Sequence, residues 1–300
     1  MVDIKCIVNG KDISDKVRDY LVTLVVVDND GTDADTLDMT FANYIKRPEG
    51  EDIIKLWIND AFYGTYIVNE TQTNHENLLT VSATSANFHK TLKTKKNKSH
   101  GKTTLHKLIK QVAQNHQLKT KIDFEDIPYD NVVQEKESDL HFLKRISDKY
   151  DAVFSIKNET LIFRKRDAKF PEFKIDINDC EPWNIKHVAR KKYKSCSASW
   201  RSTKENKTKK VVAGSGEPVL KVTGDYFSNT DALHVAKGSL AKSKRQTKEG
   251  TLSKEGEYLS AGATLLITGS KQDNGKYTIN TVTTTVDRDI GFRIDVNFQN

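Results

Sequence analysis

Cysteine is almost missing from this sequence. Cys6, Cys180 and Cys196 are odd in number and form no CxxC pair, which excludes a disulfide framework and a zinc knuckle. Long apolar runs are missing too: nothing approaches the ~20 residues needed to cross a bilayer. The opening Met-Val-Asp-Ile-Lys lacks the basic and then apolar regions of a signal peptide. No membrane-spanning segment is expected, and the product is expected to stay in the cytoplasm unless it leaves inside a particle. Catalytic signatures are equally scarce. There is no HExxH, no GxSxG and no kinase set. The histidines are dispersed: His106 and His116 are too far apart on one predicted helix to share a metal, and His141 stands alone. No metal, cofactor or catalytic residue is expected.

Charge is plentiful, at 30% of residues against 36% apolar ones, which suits two packed domains with much polar surface or surface committed to an assembly. Twelve Phe, ten Tyr and three Trp lie in repeated alternating runs, so packed β-structure is expected rather than disorder. The net charge of +7 favours anionic partners. Its lysines gather at Lys93–Lys102 and in an expected loop at residues 201–210, without the interleaved aromatics that stack bases. A solvated surface is the plainer reading.

Residues 1–90 are expected to form a first β-domain. Asn9-Gly10 turns the strand Lys5–Val8, and strands follow at Leu21–Val27, Asp35–Phe41, Ile53–Ile58, Phe62–Asn69 and Leu78–Thr84. Asp28-Asn29-Asp30-Gly31 meets neither the glycine nor the glutamate spacing of an EF-hand loop and reads as a turn. Residues 91–172 are expected to be an α/β insert with two helices and a hairpin. Leu105, Leu108, Ile109, Val112 and His116 fall on one helical face. Residues 173–300 are expected to be a second β-domain, with one alanine-rich helix over residues 230–244 covering a barrel. Gly214-Ser215-Gly216 reads as a flexible loop rather than a phosphate cradle. Gly64-Thr65-Tyr66-Ile67-Val68-Asn69 matches Gly275-Lys276-Tyr277-Thr278-Ile279-Asn280, so Tyr66 and Tyr277 are expected at equivalent positions of a duplicated β-unit.

The organising stretch is Glu137–Arg166. Ser138 is a helix N-cap with Asp139 at the positive end of the dipole. Leu140, Leu143, Ile146 and Tyr150 recur at helical spacing, and a hairpin turning at Asn158-Glu159-Thr160 follows. Arg145 projects from this helix, toward a partner or toward solvent. The pattern of Glu137-Ser138-Asp139, then Phe142-Leu143-x-Arg145-Ile146, then Tyr150-Asp151-Ala152 resembles the phage late control protein D family, whose members are baseplate hubs of contractile tails related to the N-terminal part of type VI secretion spike proteins. The family's Ala-Asp-Thr-Leu opening is matched by Ala34, Asp35, Thr36 and Leu37, whereas Ile146-Ser147 replaces its Leu-Ala and Asp151 its Gly.

The resemblance implies a mainly β fold with an α+β insert, two tube-protein-like β-barrels flanking the small α/β region. It also implies a structural, non-enzymatic role in the virion tail baseplate, assembled in the bacterial cytoplasm. A homotrimer would form a pseudo-sixfold ring joining a hexameric tail tube protein to a trimeric spike. Other baseplate proteins would surround it, and DNA would pass through the channel. Because the second β-unit ends the chain at Asn300, the spike is expected to be a separate polypeptide. Two other classes stay open on the residues. Glu135, Glu137 and Asp139 could serve a tail-associated peptidoglycan hydrolase, and the positive charge could serve a nucleic-acid-binding module.

Overall fold

The computed structural model describes residues 2–30, 33–42, 46–85, 90–157, 159–166, 171–189, 192–202, 205–245 and 247–300. Gly31 of the expected Asp28–Gly31 turn, Asn158 of the hairpin turn and residues 203–204 of the lysine-rich stretch lie outside them. The protein is mainly β, with 53% of residues in strands and 18% in helices. It divides into two compact units, each built from separated stretches of chain: Met1–Phe88, Phe170–Lys186 and Glu249–Asn300 in one, His89–Lys169 and His187–Lys248 in the other.

The first unit begins with β1 (Ile4–Val8) and β2 (Lys11–Asp12). Asn9 and Gly10 between them have φ of 50° and 82°, as a two-residue hairpin turn requires. Helix α1 (Ser14–Tyr20) follows, started where the Asp12 carboxylate accepts the Ser14 amide at 2.9 Å. Its only buried residue is Val17, so it leaves no periodicity in the sequence and was not anticipated. Strands β3 (Leu21–Asn29), β4 (Thr36–Ala42), β5 (Ile53–Ile58), β6 (Ala61–Thr73) and β7 (Leu78–Ser85) come next. In β4, Leu37, Met39 and Phe41 all point inward, as their alternation predicts.

The second unit opens with α2 (Lys90–Lys93), β8 (Lys96–Ser99), β9 (Thr103–Thr104) and α3 (Leu105–Asn115). The Thr104 side chain caps α3 by accepting the Lys107 amide, and Leu105, Leu108, Ile109 and Val112 form its buried face. Then come β10 (Lys119–Asp123), β11 (Pro128–Tyr129), β12 (Val133–Glu137), α4 (Asp139–Tyr150), β13 (Ala152–Lys157) and β14 (Thr160–Lys165). The hairpin β13–β14 gains a third strand because β10 pairs in parallel with β14. Both faces of β13 are buried, which simple alternation did not foretell.

Strands β15 (Glu172–Asp176) and β16 (Trp183–His187) belong to the first unit's sheet. The chain then forms β17 (Ser195–Ser202), β18 (Lys207–Gly214), β19 (Val219–Thr223) and α5 (Asn229–Lys244) in the second unit. The expected loop at residues 201–210 is therefore corrected. Arg201–Ser202 and Lys207–Lys210 are paired strand, with Ser202 opposite Lys207. Exposed lysines on β18 fit its place at the edge of the sheet β18-β17-β19.

The expected covering role of α5 is corrected as well. Its Ala232, Ala236 and Leu240 pack on Cys196, Ala198, Trp200 and Ala213 of β17 and β18, not on a barrel. Another side of α5 closely approaches the end of α4, where a Cβ on Gly238 would lie 2.8 Å from the Tyr150 carbonyl. For this reason residues 187–248 cluster with residues 89–169 rather than with a continuous domain 173–300.

Strands β20 (Lys248–Glu255), β21 (Thr264–Thr268), β22 (Gly275–Asp287) and β23 (Gly291–Gln299) complete the first unit. Among the described residues its thirteen strands form one sheet, ordered β16-β20-β23-β22-β3-β4-β7-β6-β5-β1-β2, with β21 on β22 and β15 on β21. The sheet has two halves, each around its own hydrophobic cluster: Leu24, Leu37, Leu56 and Tyr66 in one, Leu252, Leu265, Tyr277 and Val296 in the other. The halves meet where β22 pairs with β3. There Val286 is buried in the first cluster, and Phe292 packs against both.

Leu143 is fully buried in the second unit. Leu143→Ala is expected to cost roughly 2–5 kcal/mol, measured by denaturant unfolding; a loss under about 0.5 kcal/mol would be that of a surface position.

Candidate assembly site

The residues singled out from the sequence fall into two groups. Glu137, Ser138, Asp139, Phe142, Leu143, Arg145 and Tyr150 lie in the second unit. Asp35, Thr36, Leu37, Tyr66, Gly275 and Tyr277 lie in the first.

In the second unit Ser138 caps α4 by accepting the His141 amide at 3.2 Å. Asp139 does more than meet the helix dipole. Its carboxylate is buried and accepts hydrogen bonds from Lys96 Nζ at 2.6 Å and Gln134 Nε2 at 3.0 Å, with His116 Nε2 at 2.8 Å. Burial alone raises its pKa, but the bonds from Lys96, His116 and Gln134 outweigh it and hold the carboxyl below its ordinary range. Glu137 is taken by Arg145, whose Nε reaches both carboxylate oxygens at 3.2 Å and whose Nη2 also donates to the Val133 carbonyl at 2.9 Å. The same guanidinium sits 5.4 Å from the Phe142 ring centre.

Tyr150 ends the helix on a second buried carboxylate. Its hydroxyl donates to Asp231 Oδ1 at 2.8 Å and lies 2.9 Å from the Tyr129 hydroxyl, while Lys149 Nζ is 2.9 Å from Asp231. Asp231 is fully buried on α5, and no sequence signal marked it. Asp151, standing where the resembling family has glycine, adopts φ 56°, a conformation Asp tolerates better than most residues. Its carboxylate receives Arg245 and lies 3.5 Å from Arg166 Nε. The motif is thus a polar frame that fixes α4 to β12 and α5.

In the first unit Asp35 secures the entry to β4. Its carboxylate accepts the Asn29 amide at 2.9 Å, its carbonyl accepts the Ser85 amide at 2.8 Å, and Leu37 two residues on is fully buried. Tyr66 and Tyr277 are both buried, and each donates its hydroxyl to a nearby backbone carbonyl, that of Tyr63 at 3.0 Å and that of Asp273 at 2.7 Å.

The equivalence extends far beyond the tyrosines. One constant offset carries Glu51, Asp52, Ile53, Gly64, Tyr66, Ile67 and Val68 to Gly262, Ala263, Thr264, Gly275, Tyr277, Thr278 and Ile279. Under it Ile53↔Ile67 becomes Thr264↔Thr278, and Leu56↔Gly64 becomes Ile267↔Gly275. The bonds Glu51 N to Val68 O and Val68 N to Asp52 O recur as Gly262 N to Ile279 O and Ile279 N to Ala263 O. Even the β-bulge between Val68 and Glu70 recurs between Ile279 and Thr281. Gly64 and Gly275 have φ of 147° and 155°, which glycine enters freely.

The sequence profile described as phage tail baseplate hub (GPD) matches residues 70–290, well over half of the chain. The chain belongs to the phage tail baseplate hub family. A probable baseplate hub protein of Escherichia phage 186 is 26% identical over 275 residues, covering 85% of this chain and 69% of the relative. Among solved structures, a tail protein from Neisseria meningitidis MC58 superposes with TM-score 0.76 at 11% identity, covering 100% of this chain and 96% of its own. An E. coli component of the type VI secretion system, described as structurally similar to the phage T4 tail proteins gp27 and gp5, gives TM-score 0.64 at 11% identity, with 93% of this chain and 73% of its own covered. Those two likenesses are of fold. In this hub protein the motif residues are packing and positioning groups.

Asp139 supplies a pH test. Its folded-state pKa is depressed, so the stability it contributes is present above the unfolded carboxylate pKa of about 4 and is lost as pH falls through the lower folded value. Acid titration of unfolding should therefore show the stability difference between wild type and Asp139→Asn shrinking below about pH 4. A difference constant down to the acid limit would refute the assignment.

Proposed function

We propose that this baseplate hub protein forms a homotrimeric ring in which three chains present six copies of one β-unit. The ring meets the hexameric tail tube on one face and holds a trimeric spike on the other. DNA or other cargo passes along its axis. The observation that carries this reading is the duplicated β-unit. Two halves with the same registers, the same bulge and the same buried tyrosine let three chains meet a sixfold partner with nearly equal contacts.

The role is structural rather than catalytic. A glycoside hydrolase needs a carboxylic acid with a raised pKa and a second carboxylate free to act. Glu137 is held by Arg145, and Asp139 is held by Lys96, His116 and Gln134 with its pKa moved downward. Purified protein is expected to leave cell-wall turbidity unchanged, and Glu137→Gln to make no difference; clearing that Glu137→Gln abolishes would establish the enzyme.

Native mass spectrometry, with and without the spike protein of the same gene cluster, tests the ring. A trimer, or a three-to-three complex with the spike, is expected. A monomer indifferent to the spike would overturn it.

A further inference from the structure

Helix α5 packs by one stripe, Ala232, Ala236 and Leu240, on β17 and β18. Another stripe, His234, Lys237, Gly238 and Ala241, recurs at i, i+3, i+4 and i+7. With Phe124, Tyr150 and the end of β14 it lines a cleft of about 340 Å³, within the range of small-ligand sites, roughly 300–1,000 Å³. Every residue of the cleft belongs to the second unit. Its apolar part is aromatic: the Phe124 ring centre is 6.0 Å from those of both Tyr150 and His234. Burial holds the His234 pKa below its ordinary value, so this ring is uncharged at neutral pH.

The polar part is basic. Four cations, Lys165, Arg166, Lys237 and Arg245, meet two carboxylates, Glu125 and Asp151, so two positive charges stand in surplus. Lys165 Nζ is taken by Glu125, 2.5 Å away. Arg166 and Arg245 converge on Asp151, whose side chain is only 10% exposed. One carboxylate cannot satisfy two guanidiniums with five N–H donors each. Arg166 Nε is buried 3.5 Å from Asp151 Oδ1, and among the described residues it has no hydrogen-bond acceptor. Lys237 is exposed and has no carboxylate partner among them. A helix C-terminus attracts cations of its own accord, and that accounts for Arg245. It accounts neither for Lys237, in the middle of α5, nor for Arg166, which follows β14.

We propose that this cleft binds a phosphate dianion, with Arg166, Arg245 and Lys237 meeting its oxygens and the rings of Phe124, Tyr150 and His234 beside it. A guanidinium recognises phosphate through paired N–H bonds and a lysine as a point charge. The class follows from the surplus: two positive charges match a phosphate with two negative ones, whereas a carboxylate carries one. Free phosphate and the phosphate monoester of a nucleotide share this chemistry, and the rings add stacking only for the second. Binding is a property of the single chain, so a monomer shows it as well as a ring does.

Isothermal titration calorimetry of the full chain tests it, at low ionic strength and slightly alkaline pH, where screening is weak and phosphate is a dianion. Inorganic phosphate, adenosine 5′-monophosphate and acetate are the probes. Saturable binding of one phosphate or one nucleotide per chain is expected, with acetate clearly weaker. Lys237→Glu, at an exposed position, should keep the wild-type circular dichroism yet weaken phosphate binding by about tenfold or more, because it removes a charge-assisted contact. Arg166→Gln should weaken it likewise; if that variant fails to fold, Lys237→Glu decides alone. Tighter binding of the nucleotide would put its base on the rings, and equal or weaker binding would assign the cleft to free phosphate; either supports the site. No saturable binding of phosphate or nucleotide, binding that Lys237→Glu leaves unchanged, or acetate bound as tightly as phosphate would overturn the proposal.

Discussion

A β-strand has two edges, and each buried backbone group along them needs a partner. In the first unit this constraint acts through β22, which is longer than any one neighbour and changes partners along its length. Its start is paired with β21 and its end with β3, while β23 runs along the other edge. The change falls at the bulge between Ile279 and Thr281, where an added residue bends and twists the strand. Because β22 serves one half of the sheet at its start and the other at its end, two halves separated by most of the chain become one sheet. Asp28 reinforces the joint by accepting the Ala261 amide at 2.8 Å.

The second unit is organised by a different interaction, the buried carboxylate. Asp139 gathers β8, α3 and β12 through Lys96, His116 and Gln134, and Asp231 gathers α4 and the start of α5 through Lys149, Tyr150 and the Phe227 amide. Removing one partner of such a group leaves a charge or polar atom unmatched in a poorly polarisable interior, a larger penalty than the pair itself gains. These networks therefore specify how the helices and short strands sit within the unit. They also leave the motif's carboxylates engaged, which suits a frame and not a reacting pair.

Much of the local structure was legible in the residues. The alternation in β4, β7 and β23, the Asn9-Gly10 turn, the Ser138 cap and the helical spacing of Leu105 to Val112 follow from strand and helix periods and from local hydrogen bonding. Short α1 was not legible, because one buried valine makes no period. The lysine run at residues 207–210 looked like a loop because charge on an edge strand resembles charge on a loop. Asp139 was legible only as an N-terminal acid, since its partners Lys96, His116 and Gln134 are distant or on other elements. Asp231 was read only as one residue of an alanine-rich helix.

The sequence by itself determined the kinds and most of the positions of the elements, the pairing of Tyr66 with Tyr277, and the hub family. All of these are written in short stretches whose period, turn chemistry or wording is complete within a few residues. Tertiary structure alone decided that residues 187–248 belong with residues 89–169, that α5 covers β17 and β18, and that the two β-units share one sheet through β22 and β3. Those outcomes depend on which strand edge or helix face finds a partner far along the chain. No local pattern records that choice, because any edge of matching length and alternation would satisfy the same hydrogen bonds.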